Sequence, residues 1–280
     1  VSAKELSGAE LDAYRTVESA AIVSTYIGLA VALAVIAAVV WVYRNKLPHD
    51  AAAERDAALT TPTRYLAGIV PIIAGGWLVI QGNELPGIAL LMAGPAIWLW
   101  GNPLMARTRF SYGALCIFLY VGAEVAIGSL IVGYLMQESV MGLTERAAGD
   151  LIFIYWGGAL VGRIIGSAVL RFVSPGLVLA GVATGAIALV LFSTNATGTT
   201  AGYSLLAVGL MNSIMFPTIF SLACEKLGAK AADGSGIINI AIFGGAVIPL
   251  LTGILADASG SLGTAMILPI ACYAIIAGFG

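Results

Sequence analysis

FLYVGAEVAIGSLIVGYL, residues 118–135, is an apolar run with one carboxylate, Glu124, in its middle. As a helix it extends about 27 Å, close to the hydrocarbon thickness of a bilayer of about 30 Å. A charged residue at the centre of such a helix costs about 2.5–3.5 kcal/mol on insertion scales, so a carboxylate kept there faces a partner or a wetted cavity. The rest of the chain decides whether the run is a membrane span.

Hydrophobic residues make up 60% of the 280 residues and charged residues 10%. A soluble domain carries about 25% charged residues, so a water-facing surface cannot be assembled from this composition. Apolar runs recur at residues 19–43, 65–81, 85–100, 110–136, 150–172, 175–192, 201–227, 234–256 and 262–279. Alternating-polarity segments of about ten residues, the mark of a membrane barrel, are absent. The expected fold is an all-α polytopic membrane protein, and its 35 glycines suit close helix approach.

Several function classes recede at once. The net charge is −2 and no basic tract suggests nucleic acid. Cys116, Cys224 and Cys272 all fall inside apolar runs and read as packing residues. The one histidine, His49, lies in a polar stretch and reads as solvated. No metal-ligand cluster, nucleotide loop or nucleophile–base pair appears, so neither cofactor nor metal nor enzymatic chemistry is expected. Asn195-Ala196-Thr197 matches a glycosylation sequon, a triplet that chance often supplies. No signal peptide is visible. The chain begins at Val1 without a methionine and stops at Gly280 after an apolar run, as expected of a piece of a longer protein.

If every run crosses, Arg44, Lys46, Arg55, Arg64, Arg107, Arg109, Arg171, Lys226 and Lys230 fall on one side, and Lys4, Arg15 and Arg146 on the other. The cation-rich side is cytoplasmic. Residues 65–81 and 85–100 are short for a crossing, and Pro71, Pro86 and Pro95 are expected to interrupt them, as a thin or re-entrant hairpin. The last six runs divide three plus three. Three crossings reverse direction, so two such triplets are related by inverted topology, as in secondary transporters.

Three polar spots lie within the spans. On the first, Ile117, Tyr120, Glu124, Gly128 and Ile131 share a helical stripe. Arg163, mid-run in WGGALVGRIIGSAVLRF, is the expected counter-charge to Glu124 across adjacent antiparallel helices, on the same face as Trp156 and Ser167. Gly158, Gly162 and Gly166 form a smooth stripe beside it. Architectural and functional readings of a Glu124–Arg163 pair both stand. The second spot is GLMNSIMFPTIFSLACEKLG, where Pro217 leaves the Ser213 carbonyl without its helical donor, beside Asn212. That cluster suits a neutral polyol or a packed proline kink. The third, GSGIINIAIFGGAVIPLLTG, places Asn239 about one turn inside the membrane, and Pro249 frees the Gly245 carbonyl beside Gly244–Gly245, a candidate for local unwinding or a hinge.

These residues carry a resemblance. FLYVGAEVAIGS, WGGALVGRIIGS with LRFVSPG, GLMNSIMFPTIFSLACEKLG and GSGIINIAIFGGAVIPLLTGILAD resemble, in order over residues 110–280, the sugar–proton symporters of the major facilitator superfamily, in the branch of fucose permease and the bacterial glucose/galactose transporters. Residues 19–43, followed by KLP, resemble the sixth helix of that family. The resemblance implies an outer loop and the last helix of the amino-terminal half at 1–44, a cytoplasmic linker at 45–64, an extra short hairpin at 65–109 and a carboxyl-terminal six-helix half with a 3+3 inverted repeat at 110–280. It implies alternating-access transport of a monosaccharide across the inner membrane, with the proton as coupling ion, the lipid bilayer as surroundings and the missing amino-terminal half as partner. The family's coupling carboxylates lie in helices that precede this sequence, so proton coupling comes from the resemblance, and Glu124 is not assigned that role. The expected sugar contacts are Tyr120, Glu124, Asn212 and Asn239, with Arg163 as partner to Glu124, and Pro217, Gly244, Gly245 and Pro249 as helix breaks or gates. The alternatives are an exporter of drugs or other metabolites and a non-transporting membrane scaffold or receptor.

Overall fold

A computed structural model describes residues 9–43 and 62–280. The expected linker at 45–64, with His49, and the cations Lys4, Arg44, Lys46 and Arg55 lie outside the described residues. Two units are distinct, one up to Glu54 and one from Arg55 onward. The first holds a single helix, α1, Ala9–Tyr43. It begins ten residues ahead of its apolar run because AELDAYRTVE is helix-forming in spite of its polarity.

The second unit opens with a helical hairpin, α2 (Pro62–Ile80) and α3 (Glu84–Leu99). The expected proline interruptions do not occur. Pro86 sits in the first turn of α3, where a backbone N–H has no helical acceptor, and α2 and α3 run on past Pro71 and Pro95 with one bond lost at each. A tight turn at Gly82, with φ of 80°, reverses the chain. Gly75 then faces Gly87, and Gly94 faces Gly68, so closely that a Cβ on Gly75 would lie 2.6 Å from the Gly87 carbonyl oxygen. The hairpin reaches the rest of the unit through the helices Ala231–Ala241 and Gly244–Ser259.

Six spans make up the body. Three are continuous: α4 (Thr108–Met136), α5 (Glu145–Val169) and α6 (Pro175–Asn195). Three are broken: α7 (Gly198–Asn212) with α8 (Met215–Cys224), α9 (Ala231–Ala241) with α10 (Gly244–Ser259), and the short α11 (Leu262–Ala265) with α12 (Ile267–Phe279). Among the described residues, seven apolar helical segments are long enough to cross a membrane, α1 supplying one and the body six. The protein is a multi-pass membrane protein. α4, α5, α7 and α9 start a few residues ahead of their apolar runs. Thr144 accepts from the Ala147 N–H and so begins α5 at Glu145.

α4 lies at the centre, packed against α10, α12, α8 and α5. α7 packs against α5 and α6, and α12 against α6. The core is apolar, built from Phe110, Ile117, Ile127, Ile131, Leu135, Leu205, Leu206 and Met215. Cys116 and Cys272 are buried in it, Cys224 is half-buried, and none is in a disulfide. The glycine stripe of α5 does what its smoothness implies. Gly158 and Gly162 meet Leu210, Gly162 and Gly166 meet Ser213 and Ile214, and Gly209 of α7 presses on the Tyr155 carbonyl. At the other interface Gly244 presses on the Phe118 carbonyl and Gly122 on Ile248.

Candidate functional site

The break between α7 and α8 follows from Pro217. With no N–H there, the chain turns at Ser213–Ile214, and Thr218 bonds the Ile214 carbonyl through both its N–H (3.1 Å) and its hydroxyl (2.7 Å). The carbonyl of Ser213, expected to be left open, accepts from Arg163 Nε at 3.3 Å. The second break falls at Ile242–Phe243, just before the Gly244–Gly245 pair, and tight turns bridge it: the Gly245 N–H donates to Ile242 and the Ala246 N–H to Phe243, each at 2.9 Å.

Asn212, at the last turn of α7, is fully buried. Its amide Nδ2 donates to the Tyr155 hydroxyl at 2.9 Å, and its Oδ1 accepts from the Tyr273 hydroxyl at 2.8 Å. Its backbone carbonyl accepts from Tyr120 at 3.0 Å. Tyr155 in turn donates to the Glu124 backbone carbonyl at 3.2 Å. One asparagine thus gathers α4, α5, α7 and α12. Among the described residues no buried side-chain nitrogen or oxygen is left without a partner, which is the condition for a buried polar network to rigidify a core.

Glu124 is different. It is half-buried, with its carboxylate beside the Tyr120 hydroxyl and within electrostatic range of Arg163. The direct Glu124–Arg163 ion pair is not closed: among the described residues the one charge pair within 4 Å is Arg109–Glu225, at 2.8 Å. The reason is visible in the Ser213 carbonyl, which draws the Arg163 guanidinium toward the α7–α8 turn. Arg163 is exposed, as are Trp156 and Ser167 on the same face of α5. The Ser167 hydroxyl turns back to the Ile164 carbonyl at 2.8 Å.

The remaining expected site residues are placed as follows. Asn239 is exposed on α9, and its amide donates to the Ser235 carbonyl of its own helix at 3.0 Å. It makes no bond to the Asn212 cluster. Pro217 is exposed, Gly244 buried, and Gly245 and Pro249 half-buried. Tyr120, Glu124, Asn212 and Arg163 therefore come together, and Asn239 does not join them. Tyr155 and Tyr273 were not singled out from the sequence. Each is a polar-tipped aromatic inside an apolar run, which is a usable signal, but nothing local says that both hydroxyls reach the same asparagine.

No family model matches the chain. The chain is 51% identical over 168 residues to a glucose/galactose transporter of Brucella abortus biovar 1 (strain 9-941), a match covering 60% of this chain and 40% of that protein. It is 34% identical over 173 residues to the L-fucose-proton symporter of Escherichia coli (strain K12), covering 61% of this chain and 39% of that protein. A crystal structure of the major facilitator superfamily transporter FucP in the outward conformation superposes with a TM-score of 0.60 and 25% identity, over 87% of this chain and 63% of that one. The chain therefore has the fold of the carboxyl-terminal portion of a major facilitator superfamily transporter and is similar there to relatives named as glucose/galactose transporter and L-fucose-proton symporter.

Proposed function

We propose that the chain is the carboxyl-terminal part of a secondary transporter that moves a monosaccharide of the fucose, glucose or galactose type across the inner membrane with protons, by alternating access. The names of its relatives support the substrate class and the coupling ion. In this reading residues 110–280 are one six-helix half, α1 closes the preceding half, and that half supplies the rest of the sugar site and the coupling acids. The breaks at Ser213–Ile214, just ahead of Pro217, and at Ile242–Phe243, just ahead of Gly244 and Gly245, are where the broken spans bend as the halves rock, while Pro249, expected as a further break, lies inside the continuous helix α10.

The observation that carries the proposal is the contrast between Asn212 and Glu124. Two polar groups lie near mid-membrane in the same cluster. Asn212 is sealed and fully bonded, whereas Glu124 is only half-buried, at the rim of that cluster. A carboxylate at that depth faces a partner or a wetted cavity, and no ion pair closes on Glu124 among the described residues. Glu124 is thus the sugar contact on α4. Tyr120 and Asn212 hold its helix in place, and Asn239 belongs to the periphery of the passage.

The test is uptake of labelled D-glucose, D-galactose and L-fucose by the intact transporter in proteoliposomes, with and without an imposed pH gradient. Glu124→Gln removes the charge and keeps the shape, and lowers sugar uptake by about tenfold, the cost of losing a hydrogen bond to a charged group. Full uptake by well-inserted Glu124→Gln protein removes Glu124 from the site.

A further inference from the structure

The exposed face of α5 beside Glu124 carries Trp156, Arg163 and Ser167 together with the apolar Leu160 and Ile164. Trp156 is 51% exposed although it sits mid-body. Its indole stands at 86° to the Tyr155 ring, with centroids 5.1 Å apart, so one partner fixes it and half its surface stays open. Across from it on α4 is Gly128, where a Cβ would come within 3.7 Å of Trp156 Cζ2. The glycine leaves a notch one helical turn from Glu124. Tyr155, the next residue along α5, ties that level to the Glu124 carbonyl. Two turns further, Arg163 is anchored through Nε alone, and among the described residues its Nη groups carry no hydrogen bond or ion pair.

Three chemistries therefore open on one face. Glu124 accepts two hydrogen bonds, the Arg163 fork donates, and the indole offers an electron-rich plane between apolar neighbours. About 10 Å of helix rise separates Trp156 from Arg163, room for one hexose ring with a hydrogen-bond length at either side. A lipid chain has no use for the carboxylate and guanidinium. A drug-like apolar cation would meet the Arg163 charge. A pyranose matches all three: vicinal hydroxyls for the carboxylate, a ring or hydroxyl oxygen for the guanidinium, and polarised C–H bonds on one face for the aromatic plane. We infer that Trp156 is the stacking platform of the sugar site, with Glu124 and Arg163 as its polar jaws, and that Asn212 and its three tyrosines are the frame behind them. This rests on the sugar-transport reading above and adds to it a residue and a mode of recognition.

The experiment uses the intact transporter carrying Trp156 as its sole tryptophan, the others replaced by phenylalanine. D-galactose or D-glucose shifts its fluorescence at the concentration that half-saturates uptake. Sorbitol, which has the hydroxyls but no ring face, leaves it unchanged. In the otherwise unaltered protein, Trp156→Ala raises the sugar Kd by about tenfold, while Trp156→Tyr, which keeps a stacking plane, stays within about threefold. An emission unmoved by saturating sugar, or unchanged sugar binding by Trp156→Ala, overturns the assignment and leaves the transport reading standing. An unaltered transporter that neither binds nor moves any of the three sugars overturns the transport reading, and this assignment with it.

Discussion

Replacing Asn212 with alanine takes the acceptor from the Tyr273 hydroxyl and the donor from Tyr155, in a site that water does not reach. Each orphaned buried group costs about 1–3 kcal/mol. Asn212→Ala is therefore expected to lower the unfolding free energy in detergent by that amount or more. Tyr273→Phe, which orphans Oδ1 instead, has a similar effect. The double substitution Asn212→Ala with Tyr273→Phe costs less than the sum of the two, because the second change removes a group that the first has already stranded. A chemical-denaturation cycle measures this, and strict additivity would mean that the 2.8 Å contact carries no coupling. Glu124 behaves in the opposite way. On the proposed reading, Glu124→Gln is expected to change sugar handling with little change in stability. Much of this was legible in advance. Glu124, Tyr120, Asn212 and Arg163 each announce themselves as polar groups inside apolar runs, and Pro217 marks the carbonyl that needs a donor. The donor's identity was not legible. Whether Arg163 turns to a carboxylate on α4 or a carbonyl on α7 depends on a distance between helices, and no spacing along one helix encodes it.

Among the elements, two interfaces are set by glycine against backbone: Gly209 on the Tyr155 carbonyl and Gly244 on the Phe118 carbonyl. A methyl group at either place has no flexible side chain to displace, so Gly209→Ala and Gly244→Ala are each expected to cost about 1–3 kcal/mol by overpacking. Gly181 of α6 has nothing within 4 Å of an added Cβ. Gly181→Ala is the control and gains up to about 1 kcal/mol from helix propensity. Thermal melts of the three variants rank them, and a tolerated Gly209→Ala would mean that α5 and α7 can separate without loss. Sequence reading located the spans because apolar runs of this length have one interpretation. It misplaced the starts of α5, α7 and α9 because their first turns are polar or small and hydrophobicity does not register them; at α5 the Thr144 cap holds that turn. It also expected the hairpin prolines to break helices that in fact absorb them. α10 packs on α4, the leading span of the body, and α5 packs on α7, so each leading segment of a triplet meets the middle segment of the other. An inverted repeat of the kind expected from the sequence would produce such a reciprocity.

At the scale of the whole molecule, the hairpin of α2 and α3 is largely self-contained. Its close glycine approaches, to Trp98, Ile72, Val79 and facing glycines, all lie within itself, and it meets the body at the flank formed by α9 and α10. Deletion of residues 62–99 is expected to leave the six-helix body folded, with its melting temperature lowered by a few degrees at most, about the effect of 1 kcal/mol in a protein of this size. Size-exclusion chromatography and a melt in detergent check this. Collapse of the deleted protein would show that the hairpin braces the body. The proposal that the sugar site is shared between halves makes a separate prediction. The 280-residue chain alone shows no saturable sugar flux, and co-production with the preceding half restores it. Flux from the isolated chain counts against a shared site.

Asn212 and the tyrosines around it are neutral groups, and they join four helices without placing a formal charge at the centre of the body. A voltage across the bilayer does about 2.3 kcal/mol of work per elementary charge per 100 mV, and on these side chains it does almost none. The frame is therefore indifferent to the electrical state of the cell. Any voltage dependence that this body contributes to a transport cycle must enter through displacement of Glu124 or Arg163, the two formal charges that stand at mid-depth in it.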